Sequence, residues 1–240
     1  MESKRHSDLF LPNQEFARYL YRDAGAYQDA LYALVTGYAG EFRREGFAIK
    51  EHIRIGTEEM SSPPFLLAFI NGIVKLIDAK TVLEIGTFIG ISAMQFARMV
   101  GPDGHVTTLE VGKEFADIAR QNFLQNGFSD RIMLIEGDAG ATLKHLPKHS
   151  FDLVFIDGAK ETYLEYAKQA EELITDKGVI VVDDVFFHGD ALNATPQEAK
   201  GAGCKRLLDH YRDNQDFEKM LLPLRNGLLL LFRRRAATRK

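Results

Sequence analysis

Tryptophan is absent from the 240 residues and cysteine occurs once, at Cys204. A single thiol excludes a disulfide framework and a thiolate metal cluster, so a reducing compartment is the natural setting. No apolar run approaches the ~20 residues that a bilayer-spanning helix needs. The opening MESKRHSD also lacks the apolar stretch of a secretory signal. A cytoplasmic protein with no membrane partner is expected. An excess of positive charge is missing too: 30 Lys+Arg against 34 Asp+Glu leave a formal charge of −4, which gives no general attraction to nucleic acid. The locally basic RRRAATRK at the C-terminus reads as a solvated tail. Internal repeats and low-complexity linkers are lacking as well.

What is present is ordinary globular composition, 45% hydrophobic and 27% charged, suited to one α/β domain over residues 1–240. From Val82 onward, short apolar runs alternate with longer amphipathic segments, the pattern of a parallel sheet wrapped by helices. Strands are expected at 81–86, 105–110, 131–138, 151–157 and 178–184, and helices near 90–100, 113–125, 139–146 and 161–174. The closing FEKMLLPLRNGLLLLFRR holds two apolar runs parted by Arg-Asn-Gly, which predicts a hairpin. The expected fold is a doubly wound, Rossmann-like, mostly parallel seven-stranded sheet with a final antiparallel strand. Residues 1–77 read as an N-terminal helical cap on an α/β core at 78–240. Within the cap, Phe16, Tyr19 and Leu20 share one helical face, and Pro63 and Pro64 suit the first turn of a second helix.

VLEIGTFIGIS, residues 82–92, is a strand, a glycine turn and a helix start, which in an open α/β sheet places a ligand at the carboxyl end of the first strand. Gly86 and Gly90 form G-x-x-x-G, and Phe88 stands where a second glycine would admit a pyrophosphate, which argues against a nicotinamide dinucleotide. Glu84 would repel phosphate and suits a cationic ligand. Glu110 ends the second strand, where a carboxylate can accept both hydroxyls of an adenosine ribose. Taken singly, Glu84 reads equally as a cap on the following turn and Glu110 as a solvent-facing strand end. Together with EGDA at 136–139, where Asp138 and Ala139 would border an adenine, they describe an adenosine bearing a positive appendage. S-adenosylmethionine has that form.

FDLVFIDGAKETY (151–163) and GVIVVDDV (178–185) end two more strands in acids. Asp157, Asp183 and Asp184 converge on the edge that carries the glycine loop, and three close carboxylates call for a cation. Hard oxygen ligands with no cysteine or paired histidine select Mg²⁺, with Mn²⁺ or Ca²⁺ as alternatives. A substrate with two adjacent oxygens could complete the shell. Lys160, on the turn after Asp157, could take a proton from an acidified hydroxyl if its pKa is depressed. The plainer alternatives are a Lys160–Asp157 ion pair and an Asp184 side chain bonded to a loop amide. Among the seven histidines, His188 alone is placed to line the pocket. Phe186 and Phe187 could supply apolar walls.

These residues resemble the metal-dependent class I O-methyltransferases, the family that contains catechol O-methyltransferase and the plant caffeoyl-coenzyme A O-methyltransferases. The resemblance runs from about 55 to 233 through the ordered motifs VLEIGTFIGIS, TLE, EGDA, FIDGAKETY, VVDD and LLPLRNGLLLLFRR. It implies that Glu84, Gly86, Thr87, Phe88 and Ser92 contact S-adenosylmethionine. Glu110 and Val111 after the second strand, Asp138 and Ala139 after the third, and Asp157 after the fourth would join them. MSSPP at 60–64 looks like the segment that closes over the methionine end, which adds Met60 and Ser62. The resemblance further implies a divalent metal on Asp157, Asp183 and Asp184, with Lys160 as the base. A homodimer is implied too, and the apolar Phe10, Leu11, Phe16 and Leu20 would find a partner surface there or on the chain's own sheet.

Two departures stand out. The family commonly has asparagine where this chain has Asp184, and the loop at 186–203 matches no pattern for one substrate. The expected function is S-adenosylmethionine- and divalent-metal-dependent O-methyl transfer to a vicinal diol on a catechol-like, phenolic small molecule. One alternative is a transfer-RNA hydroxyuridine O-methyltransferase, as relatives of the family include, for which Arg233, Arg234, Arg235, Arg239 and Lys240 would supply phosphate contacts. The other is a non-catalytic nucleoside-binding module.

Overall fold

Continuous apolar runs bounded by acids and glycines become a seven-stranded sheet in the computed structural model, which describes residues 33–52, 54–56 and 60–234. The strands are β1 Thr81–Ile85, β2 His105–Glu110, β3 Ile132–Glu136, β4 Phe151–Ile156, β5 Ile174–Val182, β6 Phe217–Leu222 and β7 Leu228–Arg233. Their order is β3-β2-β1-β4-β5-β7-β6. β1 to β5 pair in parallel, while β7 runs antiparallel to both β5 and β6. After a helical stretch at 33–38 come α1 Pro64–Leu76, α2 Ile91–Met99, α3 Lys113–Gln125, α4 Ala139–Leu143, α5 Tyr163–Leu173 and α6 Ala199–Asp213.

The central strands are buried on both faces, so successive residues feed opposite cores. Val82, Phe155, Val181 and Leu230 pack with α1, α2 and α3 on one side. Leu83, Ile156, Val182 and Leu231 pack with α5 and α6 on the other. Winding reverses between β1 and β4, and their carboxyl ends form the crevice where an open α/β sheet takes ligands. The ladder extends past the strands there: the Asp157 amide donates to the Ile85 carbonyl at 2.9 Å, and the Asp183 amide to the Ile156 carbonyl at 3.0 Å.

Several expected bounds shift. β5 starts at Ile174, four residues before the apolar run at Gly178, and an irregularity in its pairing with β4 absorbs the extra length. Asp183 and Asp184 lie beyond its end. The helix expected at 161–174 is a 3₁₀ turn, Lys160–Thr162, followed by α5. Residues 186–203 are not one loop: a 3₁₀ segment spans Phe187–Leu192, and α6 already begins at Ala199. Pro64 opens α1 as expected. The helix carrying Phe10, Leu11, Phe16 and Leu20 lies outside the described residues, as do 235–240 of the basic tail. No helix among the described residues is long and apolar enough to cross a membrane.

Candidate active site

The glycine loop is held by close backbone approach. Gly86 has φ +101°, and a Cβ there would stand 2.1 Å from the Asp157 carbonyl oxygen; one at Gly90, φ +86°, would stand 2.3 Å from the Phe123 ring. Only glycine fits either position. The loop therefore touches the turn that carries Asp157.

Glu84 is fully buried beneath the loop. It accepts from the Ser92 hydroxyl at 2.5 Å and from the Thr108 hydroxyl at 2.5 Å, and Thr108 pairs in turn with Thr87. Burial pushes its pKa up to about 8, against the two hydroxyl bonds that favour the charge. It supports the loop from below through these two hydroxyls. Glu110 is also occupied: its carboxylate accepts from the amides of Thr87 at 3.2 Å, Phe88 at 2.8 Å and Gly112 at 2.8 Å. A carboxylate has about four acceptor sites, so capacity for a further hydroxyl is left. Asp138 accepts from the Ala141 amide and caps the short α4. Val111 is exposed beside Glu110, and Met60 is half-exposed. Ser62 lines a cavity of about 270 Å³ with Pro63, Ile91, Phe42, Arg43 and Arg225, between residues 61–64 and the start of α2.

Across the same edge, Lys160 gathers the acids. Its Nζ lies 3.3 Å from Asp157 Oδ1, 3.2 Å from Asp184 Oδ2 and 3.1 Å from the Tyr163 hydroxyl. Side-chain exposure of 13% for Lys160 against 26% and 34% for the two acids makes the group half-open, with the ammonium deepest. Burial disfavours that ammonium, but Asp157 and Asp184 outweigh the effect and hold Lys160 above its usual value. The expectation of a depressed lysine pKa is therefore corrected for this arrangement, and the plainer ion pair with Asp157 is present. Among the described residues, no loop amide donates to the Asp184 side chain; its own amide donates to Asp183 Oδ1 at 2.8 Å. Burial and the neighbouring acids push Asp183 and Asp157 upward.

Among the described residues, no three of His, Cys, Asp and Glu are grouped to hold a metal. Asp157 and Asp184 face one ammonium with Asp183 beside them, and the acids are raised chiefly by burial, with the neighbouring carboxylates adding to it; as hard oxygen donors they are of the type a divalent cation takes.

The sequence named Phe186, Phe187 and His188 for the wall beyond β5, but not the backbone shape of that wall. Asp184, Phe187 and His188 all have positive φ, as does Phe88 in the glycine loop. Such backbone costs about 1–3 kcal/mol per residue and persists only where its surroundings fix it. Phe186 is fixed by the β6–β7 hairpin, because its amide donates to the Asn226 carbonyl and its ring fills the space a Gly227 Cβ would need. His188 is exposed beside the Phe187 ring. α6 closes on the lysine turn through Gly203, where a Cβ would stand 2.2 Å from the Lys160 carbonyl oxygen. Asp190 fixes the turn that leads into that helix by accepting from the amides of Gln197 and Glu198, just before its first residue.

A family profile described as O-methyltransferase matches residues 47–235. Catechol O-methyltransferase of Mycobacterium tuberculosis is 41% identical over 132 residues, which is 55% of this chain and 60% of that protein. Caffeoyl-CoA O-methyltransferase 1 of Eucalyptus globulus is 29% identical over 177 residues, 68% of this chain and 70% of that one. Among solved structures, the O-methyltransferase TomG from Streptomyces achromogenes, in complex with SAM, superposes with a TM-score of 0.68 at 25% identity, covering 83% of this chain and 89% of that one.

Proposed function

The chain belongs to the O-methyltransferase family, and from that membership we propose that it transfers the methyl group of S-adenosylmethionine to one oxygen of a vicinal diol on a catechol-like phenol. One observation carries the reading. The glycine loop and the acid–lysine group share a backbone contact, Gly86 against Asp157, so a cofactor on the loop and an acceptor at the acids would meet.

Transfer is an in-line displacement: the acceptor oxygen forms a bond to the methyl carbon, and the carbon–sulfur bond breaks, leaving its electron pair on sulfur. Holding oxygen, carbon and sulfur near collinear at ~3 Å is the main contribution of such a site. The hydroxyl proton goes to Lys160 Nζ. The lysine can take it once Asp157 and Asp184 are engaged elsewhere, because the burial that remains favours the neutral amine. Asp157, Asp183 and Asp184 would hold a divalent cation, which supplies an acidifying charge for a diol. Glu110 and the loop amides would keep the adenosine, and Ser62 with the closing segment the methionine end.

Arg233 and Arg234 are engaged within the fold, the first with the Glu171 carbonyl and the second with Glu218 at 2.8 Å. That weighs against phosphate contacts by these two and favours a small acceptor. Labelled S-adenosylmethionine, supplied with Mg²⁺ and either a catechol panel or unmodified transfer RNA, tests the choice. Label on a catechol is expected, and label on the RNA alone would overturn the small-molecule reading.

A further inference from the structure

Asn122 and Asn126 lie one helical turn apart on α3 and treat the backbone of residues 48–50 as a strand partner. Asn122 Oδ1 accepts from the Lys50 amide at 2.7 Å while its Nδ2 donates to the Lys50 carbonyl at 3.1 Å. Asn126 repeats the pair on Ala48, at 2.9 and 2.8 Å. The spacing explains the match: four helical residues rise about 6 Å, close to the ~6.6 Å of two extended residues. Between the two rungs, Ile49 turns to the apolar cluster of Ile89, Ile91 and Ile118.

Asn126 Nδ2 also donates to the Asn122 carbonyl at 2.8 Å, at the end of α3, and of the two only Asn122 reaches the glycine loop. It is fully buried, and it also donates from Nδ2 to the Ile89 carbonyl at 2.9 Å, inside the glycine loop. Glu110 grips the loop amides of Thr87 and Phe88 from one side, so Asn122 holds the loop from the other. A second link runs in parallel: the His52 ring meets Phe115 at 5.1 Å, and Phe115 meets Phe88 at 5.1 Å. The residues just before the closing segment are thereby registered on the loop.

We infer that Asn122 is a positioning residue for the cofactor, coupling the placement of residues 47–52 to the shape of the glycine loop. The inference rests on the reading of that loop as the S-adenosylmethionine site. Asn122→Ala strands the Ile89 carbonyl and both polar groups of Lys50, whereas Asn126→Ala opens the neighbouring rung without touching the loop.

Calorimetry with S-adenosylhomocysteine and initial rates against S-adenosylmethionine separate the two. Asn122→Ala is expected to raise the Kd and the cofactor KM about tenfold, as loss of a buried hydrogen bond at a site does. Its kcat should stay near wild type, and Asn126→Ala should bind as the wild type does. Asn122→Asp keeps the acceptor for Lys50 and loses the donors, so it shows the same weakening if the alanine variant fails to fold. Unchanged affinity in a folded Asn122 variant, or equal weakening by Asn126→Ala, overturns the inference. A wild type that binds no S-adenosylhomocysteine overturns the cofactor reading and this inference with it.

Discussion

Glu84 and Asp184 make opposite use of a carboxylate. Glu84 is sealed under the loop with a pKa pushed up to about 8 by burial, against an ordinary 4.5. The folded chain therefore holds a proton between those values that the unfolded chain gives up, and stability from this group falls as pH rises from 4.5 to 8. Glu84→Gln, which keeps the side chain's size without the charge, should remove that slope. Thermal scans at pH 5 and 8.5 should show the variant gaining on the wild type at the higher pH, by on the order of a few kcal/mol. Parallel shifts of both proteins would contradict it. Asp184 sits at φ +57°, a conformation asparagine adopts more readily than most residues. Asp184→Asn should preserve the backbone and keep turnover within about threefold, since the neutral amide still offers an oxygen ligand. A loss of a hundredfold in the same assay would assign the second negative charge an essential role.

At the scale of elements, α6 and the turn it leans on decide where Lys160 stands. Gly203 leaves room for only backbone against backbone at that contact, so Gly203→Ala must push the helix from the lysine turn. Overpacking of this kind costs about 1–3 kcal/mol. Turnover should fall at least tenfold while S-adenosylhomocysteine affinity changes little, because the glycine loop lies on another turn. Calorimetry beside a rate assay reads the two separately; an equal loss of both would mean general damage. The same glycines hid α6 from pattern reading. Gly201 and Gly203 lower helix propensity, although Cys204, Leu207 and Tyr211 recur at helical spacing and are all buried. The β strands were legible for the converse reason: buried parallel strands are continuous apolar runs, and Asp157 and Asp183 mark where dryness ends.

At the scale of the molecule, the order β3-β2-β1-β4-β5-β7-β6 brings the loop after β1 and the acids after β4 and β5 to one edge. The acids themselves could be read from the sequence, because each follows an apolar run. The Lys160–Asp157 pair could be read as well, three residues apart on one turn, but the Lys160–Asp184 contact could not, since it joins two segments through a distance no spacing encodes. Nor could the asparagine rungs, whose partner at 48–50 has only one apolar residue, Ile49, packed to the core and forms no strand of its own. The occupancy of Glu84 and Glu110 by hydroxyls and amides was hidden for the same reason.

The central claim is methyl transfer to a diol at Asp157, Asp183 and Asp184 with a divalent cation bound there. Turnover of a catechol by the wild type and by Asp157→Ala, each with Mg²⁺ and with chelator, tests it most directly, with S-adenosylhomocysteine affinity measured alongside. The account predicts product only from wild type with metal, a loss of orders of magnitude in the other three arms, and cofactor affinity within a few-fold on adding chelator. Full activity of Asp157→Ala, or of the wild type in chelator, would contradict it.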